Sequence, residues 1–317
     1  MVKGRKKGKK STGRKSGKKK IAVLSSFRRL FLLSCALLLL LMAVLYLFEY
    51  FGSDKGRQQV RRLLGPVFSS QIRLKHESCN AKSYAIPLHA EVPLMQGGEK
   101  EQIVRHEGYT VSFNPAYKIA NWVAYELTVD EVKIKRAERH NAFYIDPDII
   151  GGTADTEDYI RSGYDRGHLA PAGDMRWSSN AMKESFYLSN IVPQKPQLNR
   201  GLWKKLEEQI REWAMTDSAL LIVTGPLIRK GMKCIGKNRV AVPDTFYKVI
   251  ASPYVESPRG IAFLFANMDY KNTSLEELAI PVDSVEKITG IDFFYTLQDE
   301  LENKLENEVF LSEWTFD

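Results

Sequence analysis

The sequence predicts an α+β domain with a central, mainly antiparallel sheet flanked by helices, preceded by one transmembrane helix. Three observations carry that expectation. Segments of strand length, rich in β-branched and aromatic residues, come both in runs and interleaved with helical patterns. Leu202, Leu206, Ile210 and Trp213-Ala214 recur at helical spacing and predict an amphipathic helix over 201–215. Ahead of both lies a 19-residue stretch, 30–48, with no charged side chain.

Residues 1–29 hold 13 Lys and Arg and no Asp or Glu. This low-complexity Lys/Gly/Ser run predicts a disordered basic tail, read as a topology signal in preference to a lipid or nucleic-acid contact. As a helix, residues 30–48 extend roughly 28 Å, close to the hydrocarbon thickness of a bilayer. A cleaved signal peptide fits less well, because an h-region runs about 7–15 residues and leads into small side chains. Here Glu49-Tyr50-Phe51 follow. The segment therefore reads as a signal anchor seated in the lipid bilayer. Dense positive charge before it, and the first acid (Glu49) just after, place the N-terminus in the cytoplasm and the bulk of the chain outside it. Residues 49–83 read as a juxtamembrane linker with a short helix near 58–64, and 84–317 as the soluble domain.

Within that domain, 109–113 (YTVSF) and 122–129 (WVAYELTV) read as strands separated by the turn signal Asn114-Pro115. The Gly- and Asp-rich stretch 146–163 reads as loop. After the 201–215 helix, 219–224 (ALLIVT) is a buried strand ended by Gly225-Pro226, and 246–251 and 261–266 are two more strands. Ser274 with Glu277 forms a capping-box pattern, 283–288 a short helix stopped by Gly290, and 298–308 a polar helix.

The net charge of +8 is misleading. Removing the 13 basic residues of the tail from 46 leaves 33 against 38 acids, a formal charge of −5 from residue 30 onward. A polyanionic partner cannot be held by a generally basic surface. Three cysteines make no disulfide framework. Cys79 and Cys234 are the soluble pair, open to one bridge but read first as free thiols.

No Gly-rich phosphate loop, H-E-x-x-H, zinc-spaced cysteines or G-x-S-x-G elbow is present. His76, His89, His106 and His140 lie in unpatterned contexts and read as structural or solvated. His168 differs. It stands in Asp165-Arg166-Gly167-His168, a stiff strand-like piece after the loop. Ser189-Asn190-Ile191-Val192-Pro193-Gln194 follows, then Leu198-Asn199-Arg200-Gly201-Leu202-Trp203-Lys204-Lys205-Leu206-Glu207. These three segments, with 121–128 (NWVAYELT) and Val223-Thr224-Gly225-Pro226, resemble the DNA/RNA non-specific endonucleases with a ββα-metal (His-Me finger) active site. The resemblance covers roughly residues 86–294.

The resemblance implies a nuclease fold and roles for named residues. His168 becomes the general base, which suits an imidazole with a reference pKa near 6.5. Asn199 becomes the single protein ligand of Mg²⁺, with Mn²⁺ able to substitute. One amide oxygen suffices for a cation that keeps most of its water. Glu207, about two helical turns on, is placed to grip metal-bound water. Arg211 has two readings, a surface salt bridge to Glu207 four residues earlier or a phosphate-binding arginine that stabilises the transition state. Arg139 matches a second family arginine. Arg166 is read as a phosphate contact or a loop buttress, Asn190 and Gln194 as orienting or substrate-contacting groups, Asp165 as structural. Ala120 stands where relatives often carry Pro. Trp122, Trp203 and Trp213 are read as core. The resemblance further implies DNA and RNA as substrates, 5′-phosphate ends, a leaving 3′-oxygen protonated by metal-bound water, and homodimers among relatives. The rival readings are a non-cutting nucleic-acid-binding protein of the same fold and a phosphodiesterase on small substrates. Retention of His168, Asn199 and Glu207 speaks against the first.

Overall fold

The computed structural model of the chain describes residues 84–95 and 101–316. The tail, the anchor expected at 30–48, the linker and Cys79 lie outside the described residues. Among the described residues no helix is long and apolar enough to cross a membrane. Met1–Cys79 and Asn80–Asp317 separate into two units, and every described residue belongs to the second.

In chain order the strands are β1 (Leu94–Met95), β2 (Gln102–Arg105), β3 (Thr110–Asn114), β4 (Ile119–Thr128), β5 (Asp165–His168), β6 (Ile191–Gln194) and β7 (Ala219–Pro226). Then come β8 (Cys234–Ile235), β9 (Val240–Ala241), β10 (Thr245–Ser252), β11 (Arg259–Ala266), β12 (Ala279–Ile280) and β13 (Ile291–Asp292). The helices are α1 (Val129–Lys133), α2 (Ser179–Ser185), α3 (Pro196–Arg200), α4 (Leu202–Asp217), α5 (Val282–Thr289) and α6 (Asp299–Glu306). Seven strands form the central sheet in the order β12-β11-β10-β7-β4-β3-β2, and every neighbouring pair is antiparallel. The antiparallel sheet expected from the sequence is therefore present.

The side-chain period of two explains the layering. On β4, Val123, Tyr125 and Leu127 join the core on one face with Trp203, Leu206, Ile210, Trp213 and Ala214 of α4. Trp122 and Ala124 point to the other face and pack with Val282 and Val285 of α5 and Leu301 and Leu305 of α6. Both faces of the middle strands are thus covered, which is why 219–224 reads as an unbroken apolar run rather than an alternation. Trp122, Trp203 and Trp213 are fully buried, as expected.

Boundaries shift where neighbours override local signals. The strand expected to stop at Gly225-Pro226 runs through both, with Gly225 opposite Tyr247 and Pro226 opposite Phe246. Glycine there admits the Asn121 carbonyl and the Tyr247 hydroxyl, each of which would lie under 3 Å from an added Cβ. At 283–288 the expected helix forms as α5, and Gly290 ends it in the left-handed conformation at φ 68°. The capping-box signal at Ser274 gives a Ser274 N–H to Glu277 hydrogen bond and only a short 3-10 turn.

Candidate active site

The site is a small β-hairpin-like pair and two helices laid on one face of the sheet. β5 and β6 pair antiparallel, with His168 opposite Ile191 and Gly167 opposite Val192. The chain then enters α3, where Pro196 takes the first helical position. Gly201 separates α3 from α4, whose apolar stripe seats on the sheet. His168 on β5, Asn199 on α3 and Glu207 and Arg211 on α4 consequently line one cleft of about 390 Å³, with Arg139, Arg166, Arg200 and Lys204. Of the eight residues expected in the site, six (His168, Asn199, Glu207, Arg211, Arg139, Arg166) line this cleft. Five cations face a single acid, Glu207. The acidic body concentrates its positive field where a phosphate would sit.

His168 is 7% exposed and wedged between aromatic rings, with Phe186 edge-on at 4.8 Å and Phe143 at 5.5 Å. Burial, and then the charge of Arg139, drive its pKa down to about 3. The imidazole is neutral throughout the physiological range, and its Nε2 makes no hydrogen bond to protein. Arg139 lies over Phe186 at 5.3 Å and Arg166 over Phe143 at 4.5 Å, so both guanidiniums flank the aromatic slot that holds the histidine.

Asn199 is oriented by Asp165. Its amide nitrogen donates to Asp165 Oδ2 at 3.0 Å, and Arg200 holds the same carboxylate through two bonds of 2.7 Å. With the nitrogen committed to a carboxylate, the amide oxygen is the atom left to accept or to coordinate. Burial pushes the Asp165 carboxyl up, but Arg200 and Asn199 hold it below the usual range. The structural role expected for Asp165 is thereby given a purpose. A hard cation fits these residues, since the free oxygen of a fixed amide and the carboxylate of Glu207 are both oxygen donors on the cleft wall.

For Arg211 the alternative of a surface salt bridge to Glu207 does not form: its ion pair is with buried Asp174 at 2.8 Å, and Asp174 is held in turn by the Tyr125 hydroxyl at 2.9 Å. Anchored from behind, the guanidinium remains 24% exposed towards the cleft.

Asn190 and Gln194, read as orienting or substrate-contacting groups, have no exposed surface and do not line the cleft, which goes against the substrate-contacting reading. The Asn190 amide donates to the Ala170 and Ser185 carbonyls and accepts the Ala170 N–H, locking the turn just after His168. Gln194 packs flat on Gly167, where an added Cβ would lie 2.1 Å from its Oε1. Both pack against β5 and the turn that follows it. Gly167→Ala is expected to cost about 1–3 kcal/mol through overpacking. It should also lower activity by more than the stability loss explains, because the displaced residue adjoins His168. Denaturant midpoints and cleavage rates measured side by side would check this.

One buried group escaped the sequence reading. Lys248 of β10 has no exposed surface, donates to the Leu169 carbonyl at 3.3 Å and stands over Trp203 at 4.7 Å. Burial lowers its pKa while Glu207 and Asp174 oppose the shift; burial raises that of Glu207 while Lys248 opposes it. It ties the His168 strand to the Glu207 helix and supplies Glu207 with a nearby positive charge. His106 is buried against Asp146 at 3.0 Å, and Ser189 donates to the same carboxylate. His89, His106 and His140 do not line the cleft.

The model of the family described as DNA/RNA non-specific endonuclease matches residues 91–300. The chain is 36% identical over 206 residues to mitochondrial nuclease EXOG of Mus musculus, covering 60% of this chain and 56% of that protein. It is 33% identical over 207 residues to mitochondrial endonuclease G of Homo sapiens, covering 61% and 69%. It spans 56–61% of the length of three EXOG relatives. A crystal structure of an EndoG/EndoGI complex superposes with a TM-score of 0.59 at 32% identity, over 64% of this chain and 88% of that one. The sequence motifs, the pair of strands leading into a helix, and these matches converge: the chain belongs to the DNA/RNA non-specific endonuclease family.

Proposed function

We propose that this chain is a metal-dependent endonuclease that hydrolyses phosphodiester bonds of DNA and RNA with little sequence preference. The observation that carries the reading is the gathering of His168, Asn199 and Glu207 into one cleft whose remaining charges are five cations. His168 is the general base. Neutral and free at Nε2, it takes a proton from water as the oxygen attacks phosphorus. A phosphodiester among the arginines offsets the charge of Arg139, so substrate itself raises the proton affinity of the imidazole. The bond between phosphorus and the 3′-oxygen then breaks, and that oxygen takes a proton from water in the cleft, giving a 5′-phosphate and a 3′-hydroxyl. Arg211, braced by Asp174, and Arg139 and Arg166 stabilise charge on the non-bridging oxygens. Asn199 would hold Mg²⁺, with Mn²⁺ as a substitute, and the ion would supply Lewis-acid charge neutralisation to the bound phosphodiester. Cations that meet phosphate rather than base edges make for broad specificity.

In the same reading residues 30–48 anchor the protein in a membrane with the nuclease domain outside the cytoplasm. Protease treatment of intact cells is expected to remove the domain. The test of function is purified protein on plasmid DNA, single-stranded DNA, RNA and a small chromogenic diester. Polymer cleavage with Mg²⁺, silenced by EDTA, is expected for all three nucleic acids. Turnover of the small diester with no polymer cleavage would replace the nuclease reading by a phosphodiesterase.

A further inference from the structure

On the face of the sheet opposite the cleft, three carboxylates converge. Asp283 and Glu286 stand one turn apart on α5, and Glu306 closes α6. One oxygen from each lies within 4.8 Å of the other two. Asp292 on β13 and Glu302 on α6 add negative charge to the same corner. Glu302 and Glu306 are a like-charged pair four residues apart, a spacing that disfavours the helix.

Glu306 is what sets this cluster apart from an ordinary acidic surface. The residue is 6% exposed, and its Oε1 has no hydrogen-bond partner. Burial and then the surrounding acids push its pKa up to about 9. Glu286 is fixed in place by accepting the Phe293 N–H at 2.7 Å. Lys287, at 3.5 Å from Asp283, is 75% exposed and reaches the cluster from its outer side. A buried carboxylate with an oxygen that has no donor, set among other carboxylates, is strongly unfavourable unless a cation or proton joins it.

We propose that Asp283, Glu286 and Glu306 form a binding site for a hard divalent cation of the Ca²⁺ class, separate from the catalytic cleft. The donors are all oxygens, and Ca²⁺ accepts an irregular set of carboxylates where Mg²⁺ demands a near-ideal octahedron. Glu302 and Asp292 complete the field around the ion. The site joins the end of α6 to α5 where the chain leaves for its final segment. That segment carries Trp314 onto Trp213 at 4.6 Å, and the Thr315 carbonyl accepts from Trp213 Nε1 at 2.7 Å. Trp213 belongs to α4, the helix of Glu207. Cation binding therefore braces the catalytic helix from the far side of the sheet.

The experiment is thermal unfolding of the full-length protein in detergent at neutral pH, titrated with Ca²⁺ alone after EDTA treatment, with Ca²⁺ stoichiometry by equilibrium dialysis. Near saturation the midpoint is expected to rise by about 5–10 °C, with one ion per chain lost in Glu306→Gln and kept in Asn199→Ala. Asp283→Asn, changing a half-buried residue, should weaken the same response and serves if Glu306→Gln fails to fold. No Ca²⁺ response in the parent would overturn the proposal, as would an undiminished one in both cluster variants. A midpoint that rises on acidification from pH 8 to 6 but ignores Ca²⁺ would overturn it too, making the occupant a proton.

Discussion

Replacing His168 with alanine is expected to lower plasmid cleavage by about 10²–10⁴-fold, the usual contribution of a positioned general base. The arginines and the Asn199 amide remain, so binding of nucleic acid should persist, and a filter-binding assay would show near-parental affinity. Retention of full activity would falsify the assigned base. The same side chain has a second, independent signature. Burial and Arg139 hold its native pKa at about 3, whereas the free value lies near 6.5. Between those values the unfolded chain takes up a proton that the native chain refuses. Stability carried by neutral His168 is therefore present above about pH 6.5 and declines as pH falls towards 3. By pH 4 the loss is roughly 3 kcal/mol. His168→Phe removes this component, so its denaturant midpoint should drop less between pH 7 and pH 4 than that of the parent. Equal slopes in the two proteins would mean that His168 is not held neutral by its surroundings.

The second large effect is expected at Asn199. Asn199→Ala removes the cleft amide oxygen that Asp165 presents, and activity should fall by about 10²–10³-fold, with the Mg²⁺ concentration for half-maximal rate rising at least tenfold. Asp165→Ala leaves the amide in place but free to rotate, so the loss should be smaller, about 10–100-fold. Both sites are only half-buried, and unfolding midpoints should change little. An unaltered Mg²⁺ dependence in Asn199→Ala would remove this residue from the metal site and leave Glu207 as the candidate ligand.

How much of the molecule was legible depends on what each signal is made of. Long, regularly patterned segments could be read directly. The stripe Leu202, Leu206, Ile210, Trp213 becomes α4, and the apolar runs become β7, β10 and β11. Short elements such as α2 and α3 are fixed by their neighbours and carry too few residues to show a period. The motif residues pointed to the cleft, since His168, Asn199 and Glu207 are separated by spacings that a strand, a short helix and a long helix bring together. Burial was not legible there. Asn190 and Gln194 look like solvent-ready polar groups in the motif, yet pairing of β5 with β6 and the turn after His168 enclose both. Lys248 left a signal that went unused. In 246–251 the alternation places it on the same face as Phe246 and Ile250, an inward position where a lysine requires a reason.

The sequence by itself determined the secondary-structure periods, the antiparallel sheet, the acidic sign of the body and the identity of the candidate site residues. These are properties of residue order at close range. Only the tertiary structure decided that Arg139, Arg166, Arg200, Lys204 and Arg211 share one wall, that Arg211 answers to Asp174, and that Asp165 aims the Asn199 amide. Charge and hydrogen bonding act across a few ångströms of space. Residues tens of positions apart acquire their protonation and direction from partners that folding alone brings near.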